Sequence, residues 1–568
     1  MTNSAPEASP ETRPEAQLEA QPRTRRENQS EASFAASSET GPGALAGAAP
    51  QRMHPALIAE RDPDRVALVF RSSDGSRRSW SYGALEAAAN RAAQLLRAAG
   101  LKPGDTLAVL VGNRPEVFVL FWAAMRAGLF FTPISIHLLA AEVGWILNAS
   151  KAKALVAAAE LLARLPEDPA AVPAARWSIA GSAPGWTDFE AACAEHPGVL
   201  ATDACEGAPL MFSSGTTGRP KGVINLRPGA ALGTVSDLAR RRMALHAIDA
   251  DTVYLSTAPL YHSAPLRYCE MVLRRGGRAV IMERFDAADA LALIEAERIT
   301  HSQWVPTMFV RMLRLPEAQR TGFDLSSHRY AVHAAAPCPV EIKRRMLDWW
   351  GPIVHEYYSA TEANGQTVIG PEEWLAHPGS VGRPLMGAVR IRDEQGNDLP
   401  AGETGLVYLS GGARFEYLDD PDKTAAAYAA DGMSTLGDIG HLDADGYLYL
   451  TDRRDFTIIS GGVNIYPQEI EDLLLTHPQV MDAAVFGLPD PEFGERVHAA
   501  VELVDGAPAA AEAQRRGAEL IDFCRARLAH LKCPRSLEFH DRLPRLPTGK
   551  LAKGALRAAT IGALAEPS

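Results

Sequence analysis

Beyond residue 51 the chain alternates short apolar runs of strand length with longer stretches of helical period. Val66-Ala-Leu-Val-Phe70 reads as a strand, Ser81 to Ala99 as an amphipathic helix and Asp105 to Val111 as the next strand. The most apolar window, Val117 to Ile134, is interrupted by Arg126 and Gly128 and closes near Pro133. It therefore reads as a buried helix running into a strand, not as a membrane span. The alternation continues to about residue 385, which predicts an α/β fold of layered, largely parallel sheets. Between Val389 and Leu450 the runs shorten around turns at Glu394-Gln-Gly-Asn and Asp443-Ala-Asp-Gly, which predicts a β-rich subdomain. After the charged Thr451-Asp-Arg-Arg-Asp455 comes a small α+β unit: a helix at 467–477, strands at 482–486 and 497–504, a helix at 511–530 and a strand at 536–539. Residues 1–51 are rich in Ala, Glu, Ser and Pro, bury too little to offset ordering entropy, and are expected to be a disordered extension.

Composition narrows the class. At 568 residues the chain is too long for one core, and 46% hydrophobic with 22% charged residues is ordinary for a globular enzyme. A net charge of −12 argues against nucleic acid or an anionic membrane as the main partner. The six cysteines show no C-x-x-C spacing, so they read as reduced thiols of a cytoplasmic protein, with neither a zinc site nor a disulfide framework. The first residues lack the apolar segment of a signal peptide and carry too many glutamates for a mitochondrial transit peptide.

The densest chemistry follows the apolar run Ala208-Pro-Leu-Met-Phe212. There Ser213, Ser214, Gly215, Thr216, Thr217, Gly218, Arg219, Pro220, Lys221 and Gly222 stand in succession. Glycines let backbone N–H groups approach an anion, the hydroxyls add neutral donors, and Arg219 and Lys221 add charged ones. The same residues would also make an ordinary glycine-rich hairpin turn. The loop is not the Gly-Lys-Ser/Thr start of a phosphate-binding helix, because Pro220 precedes Lys221 and Gly222 follows it.

Further clusters follow in order: Ala258-Pro-Leu-Tyr-His262-Ser263, Tyr357-Tyr358-Ser359-Ala360-Thr361-Glu362, Ser434-Thr-Leu-Gly-Asp438, Asp452-Arg453-Arg454-Asp455 running on to Ser460-Gly461-Gly462, and Leu543-Pro-Arg-Leu-Pro-Thr-Gly-Lys550. Singly, each has a plain structural reading: a core or capping histidine, a Thr-Glu helix start, a solvated lysine. Together and in this order they resemble the motifs of the adenylate-forming superfamily, the acyl-CoA synthetases, luciferases and peptide-synthetase adenylation domains. The resemblance spans about residues 52 to 558, and the wording of 333–338 and 356–362 is most similar to bacterial fatty-acid and bile-acid CoA ligases.

The resemblance implies an AMP-forming acid–thiol ligase that uses ATP, Mg²⁺ and coenzyme A on a small carboxylic acid, and it allows a homodimer. It implies an adenylation domain at 52–452, a hinge at 453–456, a mobile C-terminal domain at 457–560 and a tail at 561–568. The loop from Ser213 to Lys221 would hold polyphosphate, with Thr216 also near the metal. Tyr358 would stack on adenine, Ala335 would line the nucleotide pocket, Thr361 would bond phosphate and Glu362 would hold Mg²⁺. Asp438 would accept from the ribose hydroxyls, and Arg453 would contact ribose or phosphate. Asp455 matches the pivot, Ser460, Gly461 and Gly462 the pantetheine tunnel, and Lys532 a further cofactor contact. His262 would gate the carboxylate, and Lys550 would reach the α-phosphate. Ser359 stands where the family has glycine, and Leu436 interrupts its Thr-Gly-Asp.

Pocket candidates at Trp304–Met308, His333–Pro337 and Ser359-Ala360 are small or apolar, which favours an uncharged hydrophobic acyl group: fatty, aryl, or of steroid or bile-acid type. Loading of a carrier protein, a luciferase-like oxidation and an inactive nucleotide sensor are the competing readings.

Overall fold

The computed structural model describes residues 52–181, 183–213, 220–460, 463–545 and 551–565. The expected strands and helices open the fold. Val66–Arg71 is a strand, and Tyr82–Ala98 is a helix whose N-cap, Ser81, accepts from Ala84 N–H at 3.2 Å. That helix buries Leu85, Ala89, Ala92 and Leu96 against the helix Glu116–Arg126. Arg126, the charge that interrupts the apolar window, does not face water. It is buried, donating to Glu86 at 2.7 Å and to Asn90.

Two large sheets form the main body. The first has nine strands, in the order Arg383–Pro384, Gln366–Ile369, Val354–Ser359, Tyr330–His333, His301–Trp304, Val253–Ser256, Arg278–Met282, Val66–Arg71, Arg77–Ser81. Its six central strands are parallel and its outer strands antiparallel. The second has six strands, all parallel, from Thr187–Asp188 to Ala208–Pro209. Helices cover both faces of the nine-stranded sheet. One core holds Tyr254, Tyr268, Tyr330 and Val332, and the other holds Trp304, Phe309, Ala331 and Val354. Apolar residues on both faces are what a buried parallel sheet requires.

The β-rich segment is a four-stranded antiparallel sheet of Val389–Arg392, Gly405–Leu409, Asp438–Leu442 and Leu448–Arg453. A further five-stranded sheet carries the C-terminal unit. Its hairpin, Val480–Asp490 with Gly494–Leu503, is longer than the two strands expected there. The helix Pro467–Leu475 and the strand Ser536–His540 fall where the sequence placed them, and the second helix is Ala510–Arg525. A last helix, Lys553–Ala565, is an addition to the expected elements; it packs on the hairpin strand Val480–Asp490 and runs past residue 561, where the tail is expected to begin.

Candidate active site

Strand pairing builds the first part of the site. Asp438 opens its strand directly opposite Arg453, the last residue of the neighbouring one. Arg453 Nε donates to Asp438 Oδ1 at 2.9 Å, and the Tyr358 hydroxyl donates to Asp438 Oδ2 at 2.5 Å. Asp438 is buried. Its charge raises the Arg453 pKa despite the opposing effect of burial, while burial and then the same carboxylate raise that of Tyr358. Three residues expected at the nucleotide thus meet in one cluster. The similar-looking Asp443 stands in a separate turn. Its Oδ1 accepts from the backbone N–H of Asp445 at 3.0 Å and Tyr447 at 2.8 Å, and its Oδ2 meets His377 at 2.9 Å.

The second part is the polyphosphate segment. Met211–Ser213 and Lys221–Ile224 pair antiparallel, with Ser213 opposite Lys221. The hairpin reading and the phosphate-loop reading are therefore compatible, since the hydroxyl-rich residues lie between two paired strands. Ser214, Gly215, Thr216, Thr217, Gly218 and Arg219 lie outside the described residues. A third strand, Glu416–Tyr417, pairs with Lys221–Ile224 and brings Tyr417 to the site. The Tyr417 hydroxyl donates to Glu362 Oε1 at 3.0 Å, and Lys221 Nζ stands 5.9 Å from the centre of its ring. Asn225 Nδ2 donates to the Thr361 carbonyl at 3.0 Å, tying the Thr361-Glu362 corner to the hairpin. The sequence did not reveal Tyr417 or Asn225. Tyr417 is 55 residues from Glu362, and only the three-stranded pairing brings them together.

Glu362 is buried, and its Oε2 has no partner among the described residues. One carboxylate oxygen fixed and one available suits a hard, oxygen-preferring cation such as Mg²⁺.

His262 is the N-cap residue of the helix Ser263–Arg274, but its side chain makes no capping bond. Its ring instead lies edge-on to Tyr261 with centroids 4.6 Å apart. Ala335 adopts φ +75°, left-handed backbone that costs a non-glycine residue about 1–2 kcal/mol. Two pocket candidates are occupied in the core: Trp304 packs on Phe309 and Trp350, and His333 lies with Phe309 and 3.3 Å from Glu356. Glu356 is bonded to the buried Lys343 at 2.5 Å. Burial alone would raise the Glu356 pKa, but His333 and Lys343 outweigh it and hold it at about 2.

In the C-terminal unit Ser460 pairs with Val463 and Gly494 and is buried. Lys532 donates to Glu469 at 2.6 Å. Asp455 lies in the 3-10 turn Arg454–Phe456, directly after Arg453. Gly461, Gly462 and Lys550 lie outside the described residues. No described helix is long and apolar enough to cross a membrane.

Comparison with known proteins agrees with this geometry. The AMP-binding enzyme family matches residues 57–416, and the AMP-binding enzyme C-terminal domain matches residues 469–550. The chain is 35% identical to a feruloyl-CoA synthase of Amycolatopsis sp over 482 residues, covering 84% of this chain and 93% of that one. It is 32% identical to a long-chain-fatty-acid–CoA ligase of Mycobacterium tuberculosis over 491 residues, covering 84% and 92%. The structure of ATP-bound MatB from Rhodopseudomonas palustris superimposes with a TM-score of 0.73 at 27% identity, covering 90% of this chain and 99% of that one. With its parallel sheets, its Asp438–Arg453–Tyr358 cluster and both halves matched, the chain belongs to the AMP-binding enzymes, among the adenylate-forming acyl- and aryl-CoA ligases.

Proposed function

We propose that this protein activates a carboxylic acid with a hydrophobic body, of fatty, aryl or steroid type, first to its acyl-adenylate and then to its acyl-CoA. The observation that carries this reading is the convergence of Tyr358, Asp438 and Arg453 beside a hairpin that carries Lys221 and a third strand whose Tyr417 links it to Glu362. A carboxylate is a poor electrophile. In the first step its oxygen attacks the α-phosphorus of ATP, and the bond to pyrophosphate breaks. Two anions approach, so positioning and electrostatic stabilisation supply the catalysis. Asp438 accepts from the ribose, Tyr358 lies against adenine, Arg453 and Lys221 face phosphate charge, and Lys550 meets the α-phosphate and the acid. Mg²⁺, when bound by Glu362 with Thr216 nearby, neutralises phosphate charge. His262, at the mouth of the helix Ser263–Arg274, gates the carboxylate.

In the second step the CoA thiol attacks the acyl carbonyl and AMP leaves. We assign the adenylation domain to 52–452, the hinge to 453–456 around Asp455, and the mobile domain to 457–560. Ser460, Gly461 and Gly462 line the thiol's path. Rotation about the hinge separates the two half-reactions. The test is a panel of fatty, aryl and steroid-type acids incubated with ATP and CoA, with products read by mass spectrometry and a carrier protein as the alternative acceptor. Acyl-CoA and AMP are expected from a hydrophobic acid. Transfer to the carrier but not to CoA would overturn the acceptor, and no pyrophosphate with any acid would overturn the ligase.

A further inference from the structure

The strand Val354–Ser359 carries a second chemistry on the face turned away from Asp438. Successive side chains alternate, so His355, Tyr357 and Ser359 lie toward the helices Asp237–Leu245 and Ser263–Arg274, while Glu356 and Tyr358 lie on the other side. On the helix side Arg242 Nε donates to Gln366 Oε1, and its Nη2 reaches Ser359 Oγ at 3.5 Å. Among the described residues Nη1 has no partner and no carboxylate pairs with this guanidinium. Gln366 is 2% exposed, and its Nε2 donor is also unpartnered.

The surrounding charges do not compensate. Arg267 lies near Arg242 and within 2.6 Å of Glu270, which also accepts from Arg274 at 2.9 Å. Arg274 pairs in turn with Glu206. Three guanidiniums therefore stand against two carboxylates, and Arg242 is the one in excess. Burial lowers its pKa to about 10, with Tyr357 opposing and Arg267 adding to the shift, so it stays positive at neutral pH. Arg242 is only partly buried, and with neutral partners alone its guanidinium is still stabilised by an anion that meets it. A guanidinium's planar fork matches a carboxylate.

We propose that Arg242, steadied by Ser359, whose hydroxyl donates to the Gly365 carbonyl at 2.8 Å, forms with Gln366 Nε2 a subsite for a second carboxylate at the far end of the acid that this enzyme activates. The inference rests on the ligase reading above and replaces the uncharged acyl group expected from the sequence. Ser359 ends its strand two residues before Thr361, at most about 7 Å of chain, so the spacer between the carboxylates is a short chain or a single ring.

The test uses the full-length enzyme and matched acids: hexanoate against adipate, and 3-phenylpropanoate against its para-carboxy derivative. Pyrophosphate release with CoA gives kcat/KM for each. The diacid is expected to exceed its partner at least tenfold in one pair. Arg242→Gln should cut that ratio at least tenfold, mainly through KM, and Arg242→Lys should fall between. A purely structural Arg242 would lower both acids together and leave the ratio unmoved, which overturns the proposal. So do monoacids that match or beat their diacids in both pairs, a comparison that the wild type alone decides if Arg242→Gln fails to fold. Turnover of monoacids alone leaves the ligase reading standing, whereas no pyrophosphate with any acid removes both.

Discussion

Asp438 has two hydrogen-bond donors on it, one per oxygen. An ionised carboxylate offers about four lone-pair sites, so two remain, the number that two ribose hydroxyls require. Arg453 and Tyr358 hold the carboxylate in orientation while leaving that edge available. Asp438→Asn keeps the shape, weakens the bond with Arg453 and turns one acceptor into a donor. We expect the KM for ATP to rise about tenfold, equivalent to about 1.4 kcal/mol, with a smaller change in KM for the acid. Equal changes in both would remove Asp438 from the ribose. The residue scale also shows why Arg242 escaped notice. Arg240-Arg241-Arg242 on a short helix looks like a solvated basic face, yet the structure pairs Arg240 with Asp237 at the surface and turns Arg242 inward.

At the scale of elements, strands carry the site and their alternation decides what each residue meets. The Tyr357–Glu362 motif was legible because residue type and order are specific, and the structure sets Tyr358 beside Asp438 and Glu362 beside Tyr417. The pocket was less legible. A parallel strand buried on both faces gives no polar side by which to tell them apart, so Trp304 and His333 were read as lining although they pack in the core. The same strands and their flanks hold neutral histidines. Burial lowers the pKa of His301 to about 4, and those of His328 and His355 to about 3. Unfolded histidines bind a proton near pH 6.5, so the unfolded chain takes up protons that the folded one refuses. The contribution is complete above that pH and is lost as pH falls toward 4, at about 1.4 kcal/mol per pH unit for each proton. Urea midpoints measured from pH 7.5 to 4.5 should fall steeply below 6.5. A flat profile between pH 7 and 5 would show that these rings titrate normally.

For the whole molecule, the layered α/β body could be read from periodicity, while the helix Lys553–Ala565 could not, because its Ala-rich sequence carries little amphipathic contrast and draws its partner from the hairpin Val480–Leu503. The C-terminal unit touches the body where Arg314 donates to the Val480 carbonyl, and within that unit Arg545 pairs with Asp482. If this unit swings as proposed, few such contacts should hold it. If Lys550 serves only the first half-reaction, Lys550→Ala should slow adenylation by at least about 3 kcal/mol, the scale of one preorganised donor. Thioester formation from preformed acyl-adenylate should be largely spared. Single-turnover measurement of each half-reaction separates the two, and a parallel fall in both would place Lys550 elsewhere.

Arg453 bonds Asp438, the carboxylate proposed to accept from ribose, and is followed immediately by the turn Arg454–Phe456. Nucleotide recognition and the proposed pivot are thus neighbours on one short piece of backbone. Any preference of ribose for one orientation of the C-terminal unit must be repaid as an equal preference of that orientation for ribose. AMP, which keeps its ribose after pyrophosphate has gone, would then act as a timekeeper: it holds the second orientation until the thioester is made, and its departure resets the enzyme for the next ATP.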